Sequence, residues 1–367
     1  MKRYLEKPIL ADLDSKLILL SGPRQSGKTT LAHSLFPSSD AVYLNYDHGE
    51  DRKVLRELSW SRQAELVVFD ELHKMKNWKR WVKGVYDTEK RPPRLLVTGS
   101  ARLDVYKRGG DSLAGRHFAF RLHPVSVAEA RASRLGATAT EIEEALLRVG
   151  GFPEPFLNGT EEFARRWRRS HIERILREDL LDLERVRELK SVEVLVDLLS
   201  ERVGSPISYS SLARDLEVSP KTVKHWIEIL ERMYVVFVVT PYSRNVARSL
   251  LKEPKIYFYD IGRVSDDPGA RFENLIACSL LKRNQFLEDT KGNTRSLHYV
   301  RDQQKREVDF LTVVDKKPEF LIEAKLSDPA LSPHLKYFAS RIPGVSSLQL
   351  VRTLSRESQH DGVRVLK

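Results

Sequence analysis

Three stretches in the first hundred residues share one pattern: a short apolar run that stops abruptly at polar positions. Residues 17–20 read LILL, residues 66–69 LVVF and residues 95–97 LLV. None of them alternates. Strands apolar on both faces belong inside a parallel sheet covered by helices. Residues 41–46, AVYLNY, add a fourth strand. Helical spacing fills the gaps, at residues 30–36, at residues 47–58 with Val54, Leu55 and Leu58 on one side, and at residues 72–86. Strands alternating with helices predict an α/β domain.

The pattern changes further along. Residues 141–149 are amphipathic and end at GGFPEP. Residues 161–188 carry Phe163, Trp167, Ile172, Ile175, Leu176, Leu180 and Leu183 as a buried stripe in a charged background, which predicts one or two long helices. Arg165, Arg166, Arg168, Arg169, Arg174 and Arg177 form the strongest basic cluster. It suits a phosphate backbone, but Glu173, Glu178 and Glu184 are interleaved at helical spacing and equally suit a solvated, ion-paired face.

Residues 205–226 read as two helices joined by a tight turn. Ser219 suits an N-cap and Pro220 the first helical position. Val223, Ile227 and Leu230 recur on the inner side, which leaves Lys221, Thr222, Lys224 and His225 facing outward. With residues 234–240 as a β-ribbon, this predicts a winged helix-turn-helix able to place Lys221 and Lys224 in a major groove. Strands follow at residues 255–260, 297–300, 306–314 and 320–325, with a helix at residues 271–284. A short helix at residues 334–340 and a strand at residues 348–351 complete the tail. The divisions fall at 1–140, 141–200, 201–250 and 251–367.

Charge sharpens the picture. Sixty-two Lys and Arg against 51 Asp and Glu in 367 residues give +11, which favours a polyanionic partner. The one cysteine, Cys278, excludes an internal disulfide and zinc-finger spacing. No run of about 18 apolar residues occurs, so the expectation is a cytoplasmic protein without a membrane partner.

The chemistry begins where the first strand ends. Gly22, Pro23, Arg24, Gln25, Ser26, Gly27, Lys28 and Thr29 fit G-x-x-x-x-G-K-[ST], the phosphate-binding loop, in its strand–loop–helix setting, with Thr30 opening the helix. Glycines let backbone N–H groups curl round a phosphate, and the helix N-terminus adds positive partial charge. Lys28 is expected at the β- and γ-phosphates of ATP and Thr29 on Mg²⁺. Asp70 and Glu71 close the apolar run at residues 66–69, 42 residues beyond Lys28, as a Walker B strand does. Asp70 is expected to bind Mg²⁺ and Glu71 to polarise the attacking water. At the end of the next strand, Ser100 is the better candidate for a polar sensor of the γ-phosphate, with Thr98 second.

The set GPRQSGKTT, YLNYD, LVVFDELHK, LLVTGSAR, LAGRHFAFRLHPVSVAEA and GGFPEPFL resembles a prokaryotic AAA-type ATPase family whose C-terminal domain was long labelled as of unknown function. The resemblance covers nearly the whole chain. It implies that Arg116, with Arg102 and Arg108 as rivals, reaches a neighbouring subunit's nucleotide as an arginine finger, and so implies a homo-oligomer.

In the last third, Glu323 and Lys325 stand two apart and share a strand face, and Asp309 lies on the neighbouring strand. Two carboxylates and an amine on one face suit metal-assisted phosphodiester hydrolysis. The trio resembles the PD-(D/E)xK nuclease signature, with Glu273 matching the acid that the fold's first helix often supplies; Val308 replaces the signature's proline. The expected fold is therefore an AAA-type P-loop NTPase parallel sheet, a winged helix-turn-helix and a PD-(D/E)xK nuclease-like α/β domain. The expected function is Mg²⁺-dependent ATP hydrolysis acting on DNA, with metal-dependent cleavage in the C-terminal domain. The competing expectation is a nucleotide-gated switch or scaffold that binds a protein partner and carries an inactive nuclease-like domain.

Overall fold

Continuous apolar runs became buried parallel strands. A computed structural model of the chain describes every residue except 38, 89–93, 100–112, 134–136, 181–188, 244–252 and 329, and the side chains except also 178–180. The chain forms two units: residues 1–142 with 152–154 and 232–234, and residues 143–151 with 155–231 and 235–367.

In the first unit, β1 (Leu17–Ser21), β2 (Ala41–Asn45), β3 (Leu66–Asp70), β4 (Arg94–Thr98) and β5 (His117–Arg121) lie in the order β2-β3-β4-β1-β5, all parallel. Every residue of β1 and β3 is buried, as their lack of alternation requires. Trp60, Phe69 and Trp81 pack edge to face on one side, with ring centroids 5.3–6.0 Å apart. Because β4 lies between β1 and β3, the carboxyl ends of all three meet at one edge, where open α/β sheets place ligands. The helix expected at residues 72–86 is broken into a 3₁₀ turn, Leu72–Lys74, and an α-helix, Trp78–Thr88. Asn77 at φ 61° is left-handed and cannot continue a right-handed helix.

The second unit holds an eight-stranded mixed sheet of β6 (Val236–Pro241), β7 (Lys255–Phe258), β8 (Arg295–Arg301), β9 (Glu307–Val314), β10 (Lys317–Lys325), β11 (Ser346–Val351), β12 (Ser358–His360) and β13 (Val363–Leu366), ordered β12-β13-β11-β10-β9-β8-β6-β7. The helix Pro268–Lys291 packs on β7, β8, β9 and β10. Tyr209–Asp215 and Pro220–Arg232 form the expected helix pair. The strand expected to end a separate ribbon does not stand apart. β6 pairs antiparallel with β7 and parallel with β8, so it extends the large sheet, and burial of Val236, Phe237 and Val239 holds it there.

The charged helix runs from Glu161 to Arg174 and widens into a π-helical turn, Ile175–Leu180; the rest of the expected helix lies outside the described residues. Three of its six arginines are paired: Arg165 with Glu161 at 3.6 Å, Arg177 with Glu173 at 3.1 Å, and Arg168 with Asp260 at 3.2 Å. Acids of the same helix thus take up two of the six, and Asp260 a third. Cys278 is half-buried and its thiol donates to the Phe258 carbonyl at 3.1 Å, a packing role. No helix among the described residues is long and apolar enough to cross a membrane.

Candidate functional site

The loop after β1 folds as its glycines require. Gly22 has φ +144°, and a Cβ there would stand 2.3 Å from the Leu122 carbonyl oxygen. Gln25 and Gly27 are also left-handed, at φ 61° and 93°, and such turns bring backbone N–H groups into an anion-binding concavity. Gly27 caps the helix Lys28–Leu35 without a side-chain bond, and a helix N-terminus presents backbone N–H groups and positive partial charge to an anion. The Lys28 ammonium donates to the Gly22 and Pro23 carbonyls at 3.0 and 2.7 Å, which holds it over the loop. Pro23 and Ser26 are buried, Arg24 and Gln25 half-buried, and Thr29 and Thr30 exposed. The Ser26 hydroxyl is buried with no hydrogen-bond partner among the described residues.

A residue that spacing did not reveal supports this loop from behind. Arg3 is buried, and its guanidinium donates to the Ser26 carbonyl at 2.6 Å, to Glu129 at 2.9 Å and to the His123 carbonyl. Glu129 in turn accepts from the Tyr4 and Ser126 backbone N–H groups. Arg3→Ala would leave Glu129 buried without its cation, a loss on the order of 3–5 kcal/mol. The expected outcome is a lower melting temperature and weaker ATP binding, partly restored by Arg3→Lys, with melting curves and nucleotide titration as the readout.

Asp70 is the convergence point at the sheet edge. It is buried and accepts from the Thr29 hydroxyl at 3.1 Å, from the Glu71 backbone N–H at 3.0 Å, and from the Tyr43 and Thr98 hydroxyls. The polar residue at the end of β4 that meets Asp70 is thus Thr98; Ser100 lies outside the described residues. Tyr43 went unnoticed in the sequence, because only the pairing of β2 with β3 brings it to Asp70. Burial, and then the Asp70 charge, push the Glu71 carboxyl above its usual range. The Lys74 ammonium lies 3.8 Å from Glu71 and His73 Nε2 3.5 Å from it. One hydroxyl and one carboxylate beside an anion-binding loop are hard oxygen donors suited to Mg²⁺ on a phosphate chain. The unpartnered Ser26 hydroxyl is consistent with a polar ligand in that loop.

Arg116 is elsewhere. Its carbonyl accepts from the Leu17 N–H, and Leu17 pairs with His117, so Arg116 stands at the sheet edge opposite the loop of its own chain. Its guanidinium makes two bonds to Asp87, at 2.7 and 3.1 Å. The rivals Arg102 and Arg108 lie outside the described residues.

In the second unit, β9 and β10 form an antiparallel hairpin that brings Asp309, Glu323 and Lys325 together. Asp309 accepts from the Ala324 N–H at 3.0 Å, and the Lys325 ammonium lies 2.8 Å from Glu323. Burial, followed by the Asp309 charge, raises the Glu323 carboxyl. Glu273, from the helix Pro268–Lys291, accepts from the Tyr257 hydroxyl at 2.6 Å and contacts Lys255 at 3.3 Å. The Lys255 ammonium is wholly buried, 2.8 Å from Glu307 and 3.4 Å from Asp309. Burial alone would lower its pKa, but the charges of Glu273, Asp309 and Glu307 raise it above the ordinary value. Glu273 therefore meets Asp309 through a lysine. Among the described residues, no three His, Cys, Asp or Glu side chains converge as a metal cage.

On the helix pair, Lys221, Lys224 and His225 are exposed. Thr222 is half-buried and serves the cap: its N–H donates to the Ser219 hydroxyl at 3.0 Å and the two hydroxyls lie 2.8 Å apart.

The family model described as an AAA domain matches residues 14–131, which contain the loop, β1 to β5 and Asp70. The first unit carries an AAA-type P-loop ATPase domain. After the AAA domain, residues 140–265 match a domain of unknown function (DUF8612) and residues 268–367 another (DUF4143). An uncharacterized protein of Mycobacterium tuberculosis is 26% identical over 339 residues, covering 87% of this chain and 73% of its own. Another, from Methanocaldococcus jannaschii, is 22% identical over 373 residues, covering 92% and 82%. Among solved structures, a point variant of Thermotoga maritima RuvB is 16% identical, covers 68% of this chain and 94% of its own, and has a TM-score of 0.35. Bacteroides Pif1 bound to ssDNA is 13% identical, covers 43% and 49%, and has a TM-score of 0.25. Superpositions that loose carry no argument.

Proposed function

We propose that the protein is a Mg²⁺-dependent ATP hydrolase whose turnover acts on DNA. The observation that carries it is the Thr29–Asp70 contact at 3.1 Å, with Glu71 next in sequence and Lys28 held over the loop. Phosphoryl transfer to water needs positioning and charge stabilisation more than covalent chemistry. Lys28 and the loop N–H groups orient the β- and γ-phosphates; Thr29 and Asp70 would hold Mg²⁺, which would supply charge neutralisation on the phosphates. Tyr43 and Thr98 fix the Asp70 carboxylate, and Glu71 takes the attacking water's proton. Any contact of Arg116 with a nucleotide is then made to another copy of the chain.

DNA is the partner that the charge favours. The chain carries +11, and the helix Pro220–Arg232 begins with Lys221, Lys224 and His225 exposed. None of them offers the bidentate amide or guanidinium that reads a base edge, so the binding is electrostatic and indifferent to sequence. Lys221→Ala with Lys224→Ala is expected to flatten log K against log salt for duplex DNA by about 2, near 0.9 per phosphate contact. Fluorescence anisotropy across a salt series reads this slope. An unchanged slope removes the helix from the interface. The second reading, a nucleotide-gated switch with a protein partner, draws on the pairing of Arg165, Arg168 and Arg177 with acids. Absence of any salt-dependent DNA binding by the wild-type chain would favour it.

A further inference from the structure

We infer that a cavity on the sheet of the second unit binds a nucleoside phosphate, with the base against its apolar walls and the phosphate on Lys316, Lys317 and Arg341. The cavity offers about 700 Å³, within the range of small-molecule and cofactor sites. It is lined from β6, β8, β9, the turn into β10 and the chain after the helix Pro333–Ala339, so all of it belongs to one unit. The phosphate loop belongs to the other unit, and nothing in the proposed function uses this cavity.

The walls divide by chemistry. Tyr242, Val313, Pro318 and Ile342 supply apolar surface, and each is buried or half-buried. The Tyr242 ring stands edge to face with the His298 ring, with centroids 5.9 Å apart. Both nitrogens of His298 are taken: Nδ1 lies 3.2 Å from the Thr240 hydroxyl and carbonyl, and Nε2 lies 2.9 Å from the Ser296 hydroxyl. Burial lowers the pKa of the imidazole, so it stays neutral near neutral pH and this wall carries no charge.

The cations come from two other elements. Lys316 and Lys317 sit at the turn between β9 and β10, Arg341 follows the helix Pro333–Ala339, and all three are exposed. Among the described residues, no Asp or Glu lines the cavity and none of the three cations is ion-paired. The Arg341 guanidinium donates to the Tyr337 carbonyl at 3.2 Å and lies 3.7 Å from that ring's centroid, which steadies it without neutralising it. The neighbouring acid, Asp315, accepts from the Asn293 side chain at 2.7 Å and the Thr294 N–H at 3.0 Å. Elsewhere on this sheet arginines meet acids, as Arg283 and Arg295 meet Glu319.

The class of anion follows from the walls. A phosphate group carries about two negative charges and suits a guanidinium fork beside two ammonium groups. Inorganic phosphate would leave the apolar walls without a partner, and a purely apolar ligand would leave the cations without one. A flat heterocycle joined to a phosphate satisfies both, since a base packs well against an aromatic side chain such as Tyr242. That chemistry arrives either as a free nucleotide or as the phosphorylated end of a nucleic-acid strand.

Calorimetric titration of the full-length chain with thymidine monophosphate tests the site, because a monophosphate lacks the β- and γ-phosphates that the P-loop grips. Wild-type binding tighter than about 1 mM is expected, with thymidine and inorganic phosphate each at least about tenfold weaker. Lys317→Glu with Arg341→Glu should weaken the nucleotide by at least about tenfold, the scale of one charge-assisted hydrogen bond. Melting temperature and ATP hydrolysis should stay as in wild type. If that pair does not fold, Lys317→Gln with Arg341→Gln serves the same comparison. A short oligothymidylate with a terminal phosphate separates the sources: tighter binding than the monomer assigns the site to a strand end, equal or weaker binding to a free nucleotide. A wild-type chain that does not bind, a folded double variant that binds as tightly as wild type, or thymidine or inorganic phosphate binding as tightly as the nucleotide would overturn the inference. None of these outcomes bears on Lys28 or Asp70, which ATP hydrolysis reads separately.

Discussion

Glu71→Gln is expected to lower ATP turnover by about 10²–10⁴-fold, the usual contribution of a positioned general base, with nucleotide affinity nearly unchanged. The amide keeps the side chain's shape, and the groups that grip phosphate, Lys28 and the loop, are not touched. Glu71 follows directly on Asp70, the last residue of β3, in a left-handed conformation at φ 52°. Burial and the Asp70 charge hold that carboxyl above the usual glutamate range. The sign of the pH effect follows. A protonated Glu71 cannot accept the water's proton, so wild-type turnover falls as pH drops through a value higher than that of an ordinary glutamate. Phosphate release across pH, beside binding of a fluorescent nucleotide, reads both effects. Turnover in Glu71→Gln within twofold of wild type would assign water activation to another group.

Gly22→Ala is expected to abolish ATP binding and to destabilise the first unit by roughly 2–4 kcal/mol, the combined scale of backbone strain and overpacking. Two independent penalties coincide there. The backbone at φ +144° is one that residues with a Cβ rarely adopt, and the new methyl would meet the Leu122 carbonyl at 2.3 Å. That oxygen is backbone, adjacent to β5, and cannot swing aside. Relief comes only by moving the loop, which displaces the Gly22 carbonyl that holds the Lys28 ammonium at 3.0 Å. Melting curves and nucleotide titration read the two losses together. An alanine variant that still binds ATP at the wild-type affinity would mean that the loop is not the phosphate cradle.

What could be read from the chain alone was what is local. The loop from Gly22 to Thr29 and the strand ending at Asp70 declare themselves by spacing, because a phosphate cradle is a continuous piece of backbone. The hairpin that joins Asp309 to Glu323 and Lys325 was legible for the same reason: few residues intervene. Contacts that depend on strand order were not. Tyr43 reaches Asp70 only because β2 lies beside β3, and Arg3 reaches Ser26 from far along the chain. Lys255 is the instructive miss. A charged residue heading an otherwise apolar strand was a visible signal, but its meaning came from acids on a helix and on β9. The separate ribbon after the helix pair failed differently. A strand with Val236, Phe237 and Val239 buried needs neighbours, and β7 and β8 supplied them.

The most direct test is phosphate release from ATP by the full-length chain, with and without Mg²⁺ and duplex DNA, beside the Lys28→Ala variant. Hydrolysis that requires Mg²⁺, is lost in Lys28→Ala and rises when DNA is added is the predicted result. A wild-type chain that hydrolyses ATP no faster than Lys28→Ala in the presence of Mg²⁺ and DNA would contradict it.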